Sequence, residues 1–185
     1  MEITKKPAQT IILKNMQIPY NTDKWQPRNF RGMERVVNGE KVNAEGERNF
    51  CIFLDPEQVD CEQMIADGWN ISKSENPRDP QAEPNYMLRV KVKYHPEFLP
   101  DGKKNDLARL NPKVRVVTQR GEMEMDEENI GDLDSAQIVK ANLTINGTWR
   151  SSSRYTGYVA YLSKIVVRVF EDEGSLDDLM EGIMD

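Results

Sequence analysis

The clearest signal in the chain is a two-residue alternation from Tyr86 to Tyr94, with Tyr86, Leu88, Val90, Val92 and Tyr94 on one side and Met87, Arg89, Lys91 and Lys93 on the other. Successive side chains of a strand point to opposite faces, so this run predicts a strand with one core face and one cationic face. The period recurs at 113–118, where Val114 and Val116 oppose Lys113 and Arg115. It recurs again from Asn49 to Leu54, with Phe50, Ile52 and Leu54 on one side. Two longer runs close the pattern: about 137–146, with Val139, Ala141, Leu143 and Ile145 on one face, and about 157–170, ending KIVVRVF. Thr10 to Leu13 opens a first strand that Ile18 and Pro19 close, and Asn38-Gly39 offers a tight turn.

Helical signals are few. Asp55-Pro56-Glu57 reads as N-cap, first-turn proline and first-turn acid, and Gly68 is a stop, which predicts one short helix over roughly 56–67. Residues 74–85 carry three prolines and almost no apolar side chain, and read as a mobile loop. Five or more strands, one short helix and long loops predict a mainly β fold: an OB-fold-like small antiparallel barrel (oligonucleotide/oligosaccharide-binding) with a disordered acidic tail. The expected organisation is a flexible arm at 1–9, one domain at 10–170 and the tail at 171–185.

Charge sharpens this picture. The formal net charge is −6, but residues 171–185 hold seven acids and no base, and residues 121–134 hold seven more acids and no base. The other 156 positions carry 25 bases against 17 acids. A basic body with an acidic end suits a polyanion binder whose tail competes for the cationic groove; a merely solubilising tail is the alternative.

Several chemistries are disfavoured. The single histidine, His95, precedes Pro96, so multi-histidine metal sites are impossible and a His-based triad has one poor candidate. Neither common phosphate-cradling glycine motif occurs. Cys51 and Cys61 supply neither a disulfide framework nor a four-ligand zinc site. No apolar run approaches the ~20 residues of a membrane span, and residues 1–20 lack a signal-peptide core, so the three sequons at Asn70, Asn142 and Asn146 carry no meaning. The expectation is a non-enzymatic cytoplasmic protein with no cofactor, no metal and no membrane partner. Read as a calcium loop from Asp126, the acidic stretch puts Ile130 and Gln137 where ligands are required, so it reads as a solvated acidic surface.

Binding chemistry is better represented. Thr148 to Tyr155 combines Trp149, Arg150, three serines, Arg154 and Tyr155, a composition in which bases stack on rings and arginines reach phosphates. An ordinary hairpin whose Trp149 and Tyr155 fold back onto the core is the alternative. The row Arg89, Lys91 and Lys93 and the cluster Trp25, Arg28, Phe30 and Arg31 add two further basic patches, the second with aromatic members. Tyr158 and Tyr161 fall on opposite strand faces; Tyr158, nearer the loop, is taken as the surface platform and Tyr161 as core. In the tail, Leu176, Leu179, Met180, Ile183 and Met184 share one helical face, with Asp177, Asp178 and Asp185 among them. That is the pattern of a peptide that docks helix-in-groove on a partner.

The segments RNFCIFLD, DGWNI, YMLRVKVKY, LDSAQIVKANLTINGTW and GYVAYL, followed by an acidic, apolar-studded terminus, resemble phage-encoded OB-fold single-stranded DNA-binding proteins. The resemblance implies sequence-tolerant coating of single-stranded DNA in phage replication, recombination or repair, with self-association on the DNA and an acidic terminus that recruits replication or recombination proteins. It also implies DNA contacts at Trp149, Arg150, Arg154 and Tyr155 together with Arg89, Lys91 and Lys93. The competing reading is a β-rich virion or assembly protein whose acidic tail docks on a neighbouring subunit; a magnesium-dependent nuclease is a weaker third.

Overall fold

The computed structural model describes residues 6–18, 28–75, 78–79 and 81–170. Ten strands occur among them: β1 (Gln9–Met16), β2 (Arg35–Val37), β3 (Glu40–Asn43), β4 (Arg48–Phe53), β5 (Ile71–Ser74), β6 (Asn85–Val92), β7 (Lys113–Thr118), β8 (Gly121–Met125), β9 (Ile138–Ser151) and β10 (Thr156–Val169). One α-helix, α1 (Cys61–Asp67), and two 3-10 turns, Asp106–Leu110 and Ile130–Asp134, complete the set. The central path is β1-β9-β10-β6-β4, antiparallel except for β6 beside β10. β10 also runs parallel to β7, which carries β8 on its other edge. The fold is therefore mainly β and consistent with an OB-like barrel.

The path ends at β1 and β4, and one side chain bridges them. Gln58, in the turn after β4, accepts from the Lys14 backbone N–H at 2.7 Å and donates to the Lys14 carbonyl at 2.8 Å. Its amide stands in for a strand partner and satisfies peptide groups that an edge would leave open.

Alternation fills the interior as the sequence predicts for β6, where Tyr86, Leu88, Val90 and Val92 are buried and Arg89 and Lys91 exposed. β9 departs from it. Ile138, not Val139, is buried, because the ladder to β10 skips a residue at Val139 and turns it outward. The helix is also shorter than 56–67. Asp55 caps only a turn, through the Glu57 N–H, whereas Asp60 is the true N-cap and accepts from the Gln63 N–H at 3.1 Å. Gly68 ends α1 in the left-handed region at φ 108°, as expected of a C-terminal glycine. The Asn38-Gly39 turn does join β2 to β3, with both φ values positive. That hairpin is tied to β4 where Asn49 donates to the Asn43 side-chain oxygen at 2.7 Å. Among the described residues no helix is long and apolar enough to cross a membrane.

The Tyr94 hydroxyl is buried without a hydrogen-bond partner among the described residues, and burial pushes its pKa up to about 12, partly offset by the Arg48 guanidinium 5.7 Å from the ring centre. The fold favours the neutral phenol, so its contribution is whole below the unfolded value near ~10 and is lost as pH rises towards about 12. Tyr94→Phe should leave stability at pH 7 unchanged or raise it by up to about 1 kcal/mol, and should flatten the loss above pH ~10. Urea unfolding at several alkaline pH values checks this; an unchanged alkaline slope would assign the loss to other groups.

Candidate functional site

At the far end of the β9–β10 hairpin, three aromatic rings meet. Trp69, just after α1, stacks on Tyr158 with ring centres 5.4 Å apart, and Trp149 meets the same Tyr158 edge-on at 5.0 Å. Tyr158 donates its hydroxyl to the Pro7 carbonyl at 2.9 Å, and Trp69 donates its indole N–H to Gln9 at 2.8 Å. Gly147 and Gly157 make room: a Cβ on Gly147 would overlap the Trp69 ring, and one on Gly157 would overlap the Gly68 carbonyl. The Tyr155 hydroxyl donates to the Tyr158 carbonyl at 3.0 Å, and burial raises its pKa.

Residues 148–155 are therefore strand as far as Ser151, and only Ser152 to Tyr155 turn. Trp149 points inward with Lys6 over its ring at 4.6 Å, and Tyr155 leans back onto the Gly68 carbonyl. Tyr158 is buried at 1% exposure, which corrects its expected place on the surface. The reason is parity: Trp149 faces Tyr158 across the ladder, so both belong to the inner face.

Tyr161 consequently falls on the outer face, half-exposed, with Lys91 beside it on β6 and Asn146 beside it on β9. Here a cleft of about 660 Å³ opens. Lys93, Arg109, Lys113, Arg150 and Lys164 line it, with His95 and no carboxylate among the lining residues. None of these five cations has an ion-pair partner among the described residues. The Arg150 guanidinium lies over the Tyr161 ring, 5.9 Å from its centre. A bulge at Ser163 adjusts the rest of the strand: Leu162 pairs with Ile145 but Lys164 pairs with Thr144, which keeps Ile165 inside and turns Lys164 into the cleft. The floor is neutral and polar, from Thr144, Asn146 and Thr148.

Of the residues singled out from sequence, Arg150 and Lys93 line this cleft, and Arg89 and Lys91 continue the cationic face along β6. Arg154 is exposed at the hairpin tip. The second basic cluster loses Phe30 and Arg28 to the interior. Phe30 is core, fully buried and stacked on Phe50 at 5.2 Å. Arg28 is buried and donates to the carbonyls of Ile18, Leu133 and Ala136, holding the end of β1 to the 130–136 turn. Arg31 is bound to the same turn, through Gly131 and Asp134, and does not line the cleft. Trp25 and the tail residues Leu176 to Asp185 lie outside the described residues.

Sequence reasoning missed Tyr161, Arg109, Lys113 and Lys164 as one site. The parity of β10 was a usable signal, since a strand with Tyr158 inside must carry Tyr161 outside. The acids of 121–134 sit elsewhere: Glu122 and Glu124 pair with Arg115 on β7, Glu127 with Arg48, and Asp134 accepts from the Phe30 and Arg31 N–H groups. No group of three His, Cys, Asp or Glu side chains that could hold a metal ion occurs among the described residues.

A family model described as "Putative phage ssDNA-binding domain" matches residues 6–178. No curated protein matches the sequence. Among solved structures, a C-terminally truncated single-stranded DNA-binding protein from bacteriophage Enc34 is 9% identical, with a TM-score of 0.47 over 88% of this chain and 87% of that one. The same Enc34 protein in complex with ssDNA gives 11% identity and a TM-score of 0.45 over 88% of each chain. Gp2.5, a single-stranded DNA-binding protein encoded by bacteriophage T7, gives 10% identity and 0.36 over 96% and 94%.

The ring cluster is expected to act on stability. Trp149→Ala should cost about 3 kcal/mol and Gly147→Ala about 1–3 kcal/mol in urea unfolding. A Trp149→Ala protein with unchanged stability would show that the ring does not anchor the hairpin.

Proposed function

The chain belongs to the phage ssDNA-binding domain family, and from that membership we propose that its cationic cleft is the track for single-stranded DNA, bound without regard to sequence. One observation carries this reading: five cations with no carboxylate among them surround an outward-facing tyrosine on an open sheet face. The cations take phosphates, and Tyr161, with Arg150 as a second planar neighbour, offers a stacking surface to any base. From Lys93 in the cleft, Arg89 and Lys91 extend the track along β6, and Arg154 reaches the strand from the hairpin tip.

The neutral floor of Thr144, Asn146 and Thr148 is compatible with sequence tolerance, because it gives no planar fork to match one base edge. The role is coating of exposed single strands during phage replication, recombination or repair, in the host cytoplasm and without catalysis. The acidic terminus competes with DNA for the cleft, and its apolar face recruits replication or recombination partners; seven acids without a base and the spacing of Leu176, Leu179, Met180, Ile183 and Met184 support this.

Fluorescence anisotropy of labelled oligo-dT and of a matched duplex, at two salt concentrations, tests the reading. Strong preference for the single strand with a steep salt dependence is expected; equal or absent binding to both would sink it. Tyr161→Ala should weaken oligo-dT binding by about 1–3 kcal/mol with little change in stability. Replacing Lys113 and Lys164 together by Ala should flatten the log–log salt slope by about 1.4, because each phosphate contact contributes roughly 0.7 for a single strand. Removal of residues 171–185 should tighten binding at low salt, and a truncated protein that binds more weakly would exclude tail competition.

A further inference from the structure

The cleft has a wall that phosphate binding does not need. Leu107 and Leu110 line it from the 3-10 turn between β6 and β7, and they remain 50% and 48% exposed rather than packing on the core. Two large apolar side chains facing solvent among cations are a poor surface for hydrated phosphate alone.

Nor is the wall a loose loop. Asn111 accepts from the His95 N–H at 2.6 Å and donates to the His95 carbonyl at 3.0 Å, so one side chain closes the base of the 95–112 excursion. Asn105, itself buried, donates to the Pro96 carbonyl at 2.9 Å and caps the 3-10 turn through the Leu107 N–H at 3.1 Å. Its backbone N–H bonds the Glu97 carbonyl at 2.8 Å. The leucines are thus presented by a braced segment, whose ordering cost is already met before any ligand arrives.

A ligand that satisfies both the cations and the leucines must alternate anionic groups with flat apolar faces. A single strand with unstacked bases has that character; a duplex hides its base faces in the stack, and a free anion has none. We infer that Leu107 and Leu110 form the second wall of a base-holding slot, gripping a nucleobase against Tyr161 while Lys113 and Lys164 hold the flanking phosphates. This rests on the reading of the cleft as a single-strand track and adds to it a share of affinity that depends on the base itself.

The experiment compares dT10 with a ten-unit abasic strand of the same charge, using the full chain and the double variant Leu107→Ser/Leu110→Ser. The wild-type protein should favour dT10 by tenfold or more. The double variant should lose at least threefold of that ratio while keeping its affinity for the abasic strand and its salt slope. Leu107→Met/Leu110→Met should retain the ratio, and Phe98→Ser, on the same excursion but outside the cleft, should not change it. If the serine variant unfolds, Leu107→Ala and Leu110→Ala, each measured alone in a folded protein, should both reduce the ratio. A folded leucine variant with the full ratio would overturn the slot and leave the track standing. A wild-type protein that binds neither strand would overturn the track itself, and the slot with it.

Discussion

Everything about the cleft depends on how Trp69 packs on Tyr158 in the space left by Gly147. The stacked pair needs a residue without a side chain on β9, since a Cβ at Gly147 would overlap the indole, while Gly157 on β10 admits the Gly68 carbonyl. Once Tyr158 is held inside, strand geometry leaves no freedom: Trp149 opposite it is inside too, and Tyr161, three positions on, is outside. The same contact joins the start of β10 to the end of α1, through the Tyr158 N–H and the Gly68 carbonyl at 2.9 Å. A shift of one residue in this ladder would exchange the buried and the exposed aromatics.

The outer face is then shaped by two irregularities. The bulge at Ser163 lets β10 keep Ile165 and Val167 in the core while sending Lys164 outward, where its ladder partner on β7 is Lys113. Two lysines side by side repel each other, and an anion between them turns that repulsion into attraction. The excursion at 95–112 supplies the facing wall and brings Arg109 with it. A surface that concentrates cations in this way is costly without a polyanion and well matched to one.

Charge segregation completes the arrangement. Glu122, Glu124, Glu127 and Asp134 are engaged locally, with Arg115, with Arg48 and with the backbone N–H groups of Phe30 and Arg31, and no acid of 121–134 lines the cleft. Arg28 shows how misleading charge alone can be: its guanidinium is buried, donates to three carbonyls and serves as a staple between β1 and the 130–136 turn. The side chain counts as basic in any tally and offers nothing to a ligand on the surface.

The amino-acid order alone determined what repeats at short range. The alternation of β6, the strand at 113–118, the stop at Gly68, the Asn38-Gly39 turn and the segregation of acids were all legible because each follows from neighbouring residues. The cationic row of β6 could be read from the same alternation. What the tertiary structure decided was which polar face works with which. Phe30 and Arg28 became core and staple because Phe50 and three distant carbonyls were waiting for them. Tyr158 went inside because Gly147, on the neighbouring strand, left a place for the Trp69 ring beside it. The cleft joins Lys93, Arg109, Lys113, Arg150 and Lys164, whose separations in sequence carry no period, and only the ladders of β10 with β9, β6 and β7, together with the braced 95–112 excursion, bring them together. Register is set by cross-strand packing, and packing partners are not encoded in any local window of the chain.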